Sequence, residues 1–230
     1  MEKLKSQGRC LYCGQLYNKR SIGKHLDGHL AQEAAKAGSP KGLSFHIRVE
    51  AAEMFLELLV DATTPLDSID GFLRQIWLEC CGHMSAFQFK GNYDEDGIPM
   101  SRKIGKVFGT GMVLNYEYDF GSTTELAIKV GKSFPMAVPD GIVLLSRNEP
   151  LRIMCDKCTT QPATQICTVH IYEEEGFLCE DCAETHEEEC EDFADYAAMP
   201  VVNSPRMGVC GYMGGSTDIE RDGVFVETSN

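Results

Sequence analysis

Residues 155–190 read "CDKCTTQPATQICTVHIYEEEGFLCEDCAETHEEEC", and they hold six of the chain's eleven cysteines and two of its six histidines. In order these donors form four pairs: Cys155-x2-Cys158, Cys167-x2-His170, Cys179-x2-Cys182 and His186-x3-Cys190. Thiolate sulfur and neutral imidazole nitrogen are the ligands that zinc takes in closed tetrahedral sites. The outer CxxC pairs, twenty residues apart, are enough for one ion. Alternating the pairs predicts a cross-brace. Cys155, Cys158, Cys179 and Cys182 hold one ion, and Cys167, His170, His186 and Cys190 hold a second. For the second quartet the competing reading is a packed Cys167 with His170, His186 and Cys190 on the surface. So short and acidic a segment has too few apolar residues for a core, and metal supplies the folding energy a core would otherwise give.

A further donor set opens the chain: Cys10-x2-Cys13-x11-His25-x3-His29. His25 and His29 are spaced i, i+4, which places both on one side of a helix. Tyr17 and Ile22 are the apolar residues that would support them. Residues 8–32 resemble a Cys2His2 zinc finger with a ligand loop one residue shorter than usual. In DNA-reading fingers the positions matching Asn18, Lys19, Arg20, Ser21 and Lys24 face outward toward base edges. A lone finger predicts weak, salt-dependent nucleic-acid contact, mostly to phosphate through Lys19, Arg20 and Lys24. The competing reading is a solvated basic face. The two C-terminal quartets resemble the small cross-braced modules of the B-box and RING type. The donor count predicts about three Zn2+ per chain. Each site has four protein ligands, which leaves no open position for a catalytic water.

The elements that would position these donors fall into four stretches. Residues 1–37 carry the finger, and Gly38, Ser39, Pro40 and Gly42 form a breaker cluster that predicts few contacts across it. Residues 43–150 read as α+β. "LSFHIRVEA", "MFLELLV", "SAFQFKG" and "GIVLLSR" read as strands, and "MVLNYEYDFGSTTELAIKV" as a hairpin turning at Gly121-Ser122. "TPLDSIDGFLRQIWLECC" spaces Ile69, Phe72, Leu73, Ile76, Trp77 and Cys80 on one helical face, with Thr63 or Thr64 as its cap. The predicted fold class is therefore α+β: a mostly antiparallel sheet with one long helix, flanked by two zinc modules. Residues 151–195 form the cross-braced module, and 196–230 an irregular tail that is docked or partly disordered.

Net charge is −14, distributed as +5 over residues 1–50, −6 over 51–150 and −13 over 151–230. A basic head and an acidic tail suit different partners: nucleic acid for the head, an unknown protein for the tail. No apolar run is long enough to span a membrane, and "MEKLKSQGRC" lacks the apolar stretch of a signal peptide. A cytoplasmic setting, where thiols stay reduced, is the expectation.

"FLRQIWLECCGHMSAFQF", "NYEYDFGSTTEL" and the tail "PVVNSPRMGVCGYMGG" resemble the plasmid Ri ORF-three-like family, whose members are also labelled insertion-element passenger proteins. The resemblance spans about residues 43–215. It implies an α+β domain associated with mobile elements. The resolvase (TnpR) label that members often carry finds no support here, because no nucleophilic serine set among clustered arginines is present. Asp119-Phe120-Gly121 spells a kinase metal motif, but no His-Arg-Asp loop precedes it. "ECCGH" pairs a thiol with His83, yet its place at the end of an apolar face assigns Cys80 or Cys81 to the core. The sequence thus favours a zinc-stabilised binding adaptor. The alternative is an enzyme with a site near His83, Tyr118 and Asp119.

Overall fold

The computed structural model describes residues 4–36, 42–91, 97–173 and 175–215. Two compact units divide them: residues 5–73 with 83–149, and residues 74–82 with 150–215.

The larger unit begins with a hairpin, β1 (Gln7–Arg9) and β2 (Leu16–Asn18), followed by α1 (Ile22–Lys36). Then come β3 (Ser44–Ala51), β4 (Met54–Asp61), α2 (Leu66–Leu73), β5 (Ser85–Phe89), β6 (Val113–Tyr118), β7 (Thr124–Phe134) and β8 (Ile142–Arg147). Strands β3 to β8 form one six-stranded sheet in the order β5-β6-β7-β3-β4-β8, antiparallel at every pairing. The predicted hairpin turn falls between Tyr118 and Thr124, which face each other across β6 and β7. Asp119 has a φ of 65°, and its Oδ1 accepts the Gly121 N–H at 3.0 Å. That is turn chemistry.

Strand β4 is buried along its whole length. One of its faces is covered by α1, which presents Ile22, Leu26 and Leu30 at i, i+4, i+8 to Phe55, Leu59, Phe134, Val138 and Leu145. The finger is therefore built into the sheet, contrary to the expectation that few contacts cross residues 38–42. Residues 37–41 of that breaker cluster lie outside the described residues. The hairpin is fixed as well. Gly8 forms a bridge to Asn148, and the Leu11 N–H donates to the Leu145 carbonyl at 2.9 Å. A Cβ at Gly8 would meet Ser146 Oγ at 2.6 Å and Phe55 Cζ at 2.8 Å, so only glycine permits this approach.

Beneath α1 lies a buried ionic chain. His46 on β3 hydrogen-bonds Asp27 of α1 through Nδ1 at 2.8 Å, and its Nε2 stands 3.0 Å from Glu57 on β4. Arg48 donates to Glu57 through Nε at 2.8 Å, and Lys132 pairs with Asp27 at 3.1 Å. The chain closes because each buried charge has an opposite partner. Helix α1 passes close above it at Gly23, where a Cβ would sit 3.2 Å from both Arg48 Nη2 and Glu57 Oε1.

The predicted long helix is shorter than its apolar spacing suggests. Helix α2 covers Leu66–Leu73, and the chain then widens into a π turn over Arg74–Leu78. Neither Thr63 nor Thr64 caps α2. The Leu66 and Asp67 N–H groups donate instead to the carbonyls of Arg102 and Met100, and Thr63 turns its hydroxyl to Asp61 Oδ1 at 2.7 Å. Asp70 on α2 accepts hydrogen bonds from Tyr116 of β6 at 2.6 Å and Ser85 of β5 at 2.5 Å, which ties the helix to the sheet.

The smaller unit contains β9 (Gln165–Cys167), β10 (Phe177–Leu178), α3 (Glu180–Glu189) and β11 (Ala198–Pro200). Its sheet runs β10-β9-β11, antiparallel, so residues 198–200 of the expected irregular tail pair with the metal-rich segment. Residues 201–215 are irregular but fixed: Ser204 Oγ donates to the Trp77 carbonyl at 2.6 Å. Residues 216–230 lie outside the described residues.

The ionic chain gives a pH signature. Burial pushes the His46 imidazole down, but its bonds to Asp27 and Glu57 outweigh this and raise it from 6.5 to about 9. A raised folded pKa stabilises fully below the unfolded value and is lost as pH rises through the folded one. Denaturant unfolding followed by circular dichroism should therefore show stability falling between about pH 6.5 and 9.5, by on the order of 3 kcal/mol. His46→Gln should flatten this decline. An equal decline in the variant would assign it elsewhere.

Candidate metal centres

Each predicted quartet is gathered by local structure. In the finger, Cys10 and Cys13 flank a tight turn in which the Gly14 N–H donates to the Cys10 carbonyl at 2.9 Å and Gly14 has a φ of 70°. His25 and His29 project from α1 one turn apart, and Tyr17 stacks on His25 with ring centroids 3.9 Å apart. Tyr12 stacks on His29 at 5.1 Å. Ile22 is fully buried beneath them. In the smaller unit, Cys155 and Cys158 flank a second turn, where the Thr159 N–H donates to the Cys155 carbonyl at 2.9 Å. Cys179 precedes α3, Cys182 and His186 lie on it, and Cys190 follows it.

The structure brings together Cys10, Cys13, His25 and His29; Cys155, Cys158, Cys179 and Cys182; and Cys167, His170, His186 and Cys190. Within each group the ligand atoms all lie within 4.8 Å of one another. The alternating pairing is thus the one the backbone makes. With Zn–S of about 2.3 Å and Zn–N of about 2.0–2.1 Å, a tetrahedral ion separates its ligands by about 3.8 Å for S···S, 3.6 Å for S···N and 3.4 Å for N···N. Cys158 and Cys179 sulfurs are 3.8 Å apart. Cys13 Sγ and His25 Nε2 are 3.3 Å apart, and the two finger imidazoles approach at 3.2 Å. His170 Nδ1 lies 3.2 Å from Cys167 Sγ and 4.0 Å from Cys190 Sγ. None of the eleven cysteines is in a disulfide.

Two observations argue that these donors fit an ion rather than merely touch. Both ring nitrogens of His186 are buried without a hydrogen-bond partner among the described residues. A buried imidazole left so is costly, and ligation would satisfy one of its two nitrogens. The four-thiol group is also electrostatically divided. Hydrogen bonds from the Thr160 hydroxyl and N–H, and from the Gln161 N–H, hold Cys158 down at about 6, whereas the bond to Cys179 pushes Cys182 up to about 12. Cys158 is thus the more readily ionised of the two, and a bound cation would draw the Cys182 thiol down as well. Burial lowers His186 and His25, keeping the imidazoles neutral as ligation requires.

The proposed nucleic-acid residues are placed differently from the finger analogy. Helix α1 starts at Ile22, so Asn18, Lys19, Arg20 and Ser21 precede it rather than ride on its outer face. Asn18 is occupied as a cap, with Oδ1 accepting the Ser21 N–H at 3.0 Å. The Lys19 ammonium donates to the Ala52 carbonyl and lies 3.6 Å from Glu50. Arg20 and Lys24 are exposed. The finger's turn instead exposes Leu11, Tyr12 and Leu16.

Around the alternative site, His83 Nδ1 stands 3.5 Å from Asp119 Oδ1 and its ring meets Tyr118 edge-on at 5.7 Å. The same Asp119 oxygen is already engaged by the Gly121 N–H. Of the two thiols assigned to the core, Cys80 is half-buried against the cluster of Met199, Val202 and Tyr212, and Cys81 is exposed, because the helical run ends at Leu78. They gather instead with Cys210, a residue that sequence spacing had no means of pairing with them.

No family model matches the chain, and no curated protein matches it. Among solved structures, the protein of unknown function MM3350 from Methanosarcina mazei Go1 aligns at 12% identity over 67% of this chain and 83% of that one, with a TM-score of 0.36. A likeness at that score carries no argument here.

If His186 ligates, His186→Ala should remove one zinc per chain by elemental analysis. It should also destabilise the smaller unit by several kcal/mol, since structural zinc contributes about 10–16 kcal/mol in finger peptides. Hydrogen exchange should quicken across residues 165–200 and hold steady in β3 to β8. Unchanged zinc content would return His186 to the role of a packed side chain.

Proposed function

We propose that this chain is a zinc-stabilised binding protein whose metal sites hold shape and whose surfaces hold partners. The carrying observation is that each of the three quartets offers four protein donors within 4.8 Å. Four protein ligands fill a tetrahedron and leave no place for an activated water, so the chemistry suits structure rather than hydrolysis.

The smaller unit supplies the main docking surface in this reading. Tyr172 is 88% exposed and Tyr196 68%, with Val169 also exposed. Around them in sequence lie Glu173, Glu175, Asp192 and Asp195. Exposed aromatics supply contact area, and carboxylates favour a basic protein and disfavour a phosphate backbone. The resemblance to the plasmid Ri ORF-three-like family supports a place among mobile-element proteins. No helix of the described residues is long and apolar enough to cross a membrane.

Nucleic-acid contact by the finger is the lesser part of the proposal, because Lys19 is engaged by Glu50 and Ala52. Arg20 and Lys24 remain as exposed cations on the finger.

Two measurements test this reading. A photo-crosslinking residue placed at 172 or 196 of the full chain in its host should capture one protein, increasingly poorly as salt rises, whereas one at Lys106 should not. Equal capture at all three positions would remove the docking surface. On a mixed-sequence DNA duplex the full chain should bind weakly, with a log–log salt slope near −1.8 for two phosphates at about −0.9 each. Arg20→Ala with Lys24→Ala should abolish that binding. A slope near −2.7 would show that Lys19 leaves Glu50 for a third phosphate.

A further inference from the structure

Three cysteines stand outside the quartets, and the structure gathers them. Cys80 and Cys81 follow the π turn that ends at Leu78, and Cys210 arrives from the C-terminal segment of the same unit. Cys81 Sγ lies 3.7 Å from Cys210 Sγ and 3.9 Å from Cys80 Sγ. These separations bracket the 3.8 Å between Cys158 and Cys179 in the four-thiol group. They are the edge of a zinc–thiolate tetrahedron, about 3.8 Å, and nearly twice the about 2.05 Å of a disulfide.

A glycine of positive φ follows a thiol here as it does in the finger. Gly14 follows Cys13 with a φ of 70°, and Gly82 follows Cys81 with a φ of 82°. Cys210 is itself left-handed, with a φ of 52°. A non-glycine residue held in that region is strained, and such strain collects where a ligand or contact fixes it.

Charge supplies an independent argument. Arg206 is fully buried, and its Nη2 points to Cys80 Sγ at 3.7 Å. Its backbone is fixed, with the Arg206 N–H donating to Ser204 Oγ at 2.9 Å. A metal-held thiolate at Cys80 would be an anionic neighbour for that guanidinium. Three thiolates, one divalent cation and one guanidinium sum to zero charge. That balance makes the assembly tolerable in a partly buried place.

We infer that Cys80, Cys81 and Cys210 bind a further zinc ion, so that the chain carries four rather than three. Three thiolates anchor the ion, and tetrahedral zinc takes one further donor. The ion staples the C-terminal segment to residues 74–82, beside the Ser204 bond to the Trp77 carbonyl. Sulfur-rich donors select zinc over magnesium or calcium, which take oxygen.

Full-length protein purified under reducing conditions should contain four zinc ions per chain, and Cys210→Ser should contain three. Cobalt titration separates this site from the others. The equivalent lost in Cys210→Ser should carry the charge-transfer absorbance of three thiolates, and the two mixed Cys/His quartets should still show two each. Limited proteolysis should release residues beyond 200 faster in Cys210→Ser. Three ions in the unaltered chain with no change in the variant would overturn the site, as would a Cys81–Cys210 disulfide found by mass spectrometry of that chain. Loss of one ion only from His186→Ala or Cys158→Ser would leave this site standing. The failure of the proposed quartets and the failure of the further site are thus distinguishable.

Discussion

On the proposed reading, metal–thiolate bonds are what the smaller unit depends on. Among the described residues it holds two small apolar clusters: Cys167, Leu178, Ala183, Phe193 and Ala197, with Cys182 and Cys190 packed against them, and Met199, Val202 and Tyr212. Three of the seven side chains of the first cluster are proposed ligands, so the metal sites and that part of the core share atoms. Two β-strands of three residues, one of two and a ten-residue helix lined with glutamates could not bury enough surface to offset their own ordering. A tetrahedral ion fixes four residues at once and does so without apolar bulk. It also explains why so acidic a stretch can be compact, since each divalent cation offsets thiolate charge that carboxylate neighbours would otherwise repel.

The larger unit shows the opposite economy. Its sheet has ample apolar residues, and the finger's metal site sits beside a conventional core formed by Ile22, Leu26 and Leu30 on β4 and β7. What selects the seat of α1 is polar: Asp27, His46, Glu57 and Arg48 must meet in one arrangement for each charge to be paired. Leucines alone would tolerate a shift along the sheet. The ionic chain and the close approach at Gly23 do not. A finger so seated uses one side of its helix for the sheet, and Lys19 with it. It has less surface for a groove than a finger on a free linker.

Local spacing made much of this legible in the sequence. CxxC turns and the i, i+4 pair His25 and His29 are set by backbone geometry over a few residues, alternation reveals strands such as β3, β5, β6 and β7, and β4 and β8 read as near-continuous apolar runs. Most of the features that escape are non-local. His46 reads as a strand residue, and nothing in "LSFHIRVEA" says that Asp27 and Glu57 will hold it. Cys210 lies 129 residues from Cys81, a separation at which spacing has no meaning. The length of α2 was overread because its apolar spacing continues through the π turn at 74–78, where hydrogen bonding changes but the buried face does not.

The account's central claim is that the metal centres are closed and structural. X-ray absorption at the zinc edge of the full-length, metal-replete protein tests it directly. The claim predicts four-coordinate zinc with only sulfur at about 2.3 Å and imidazole nitrogen at about 2.0–2.1 Å, sulfur in the majority. A shell containing solvent oxygen, or zinc dominated by nitrogen and oxygen, would contradict it.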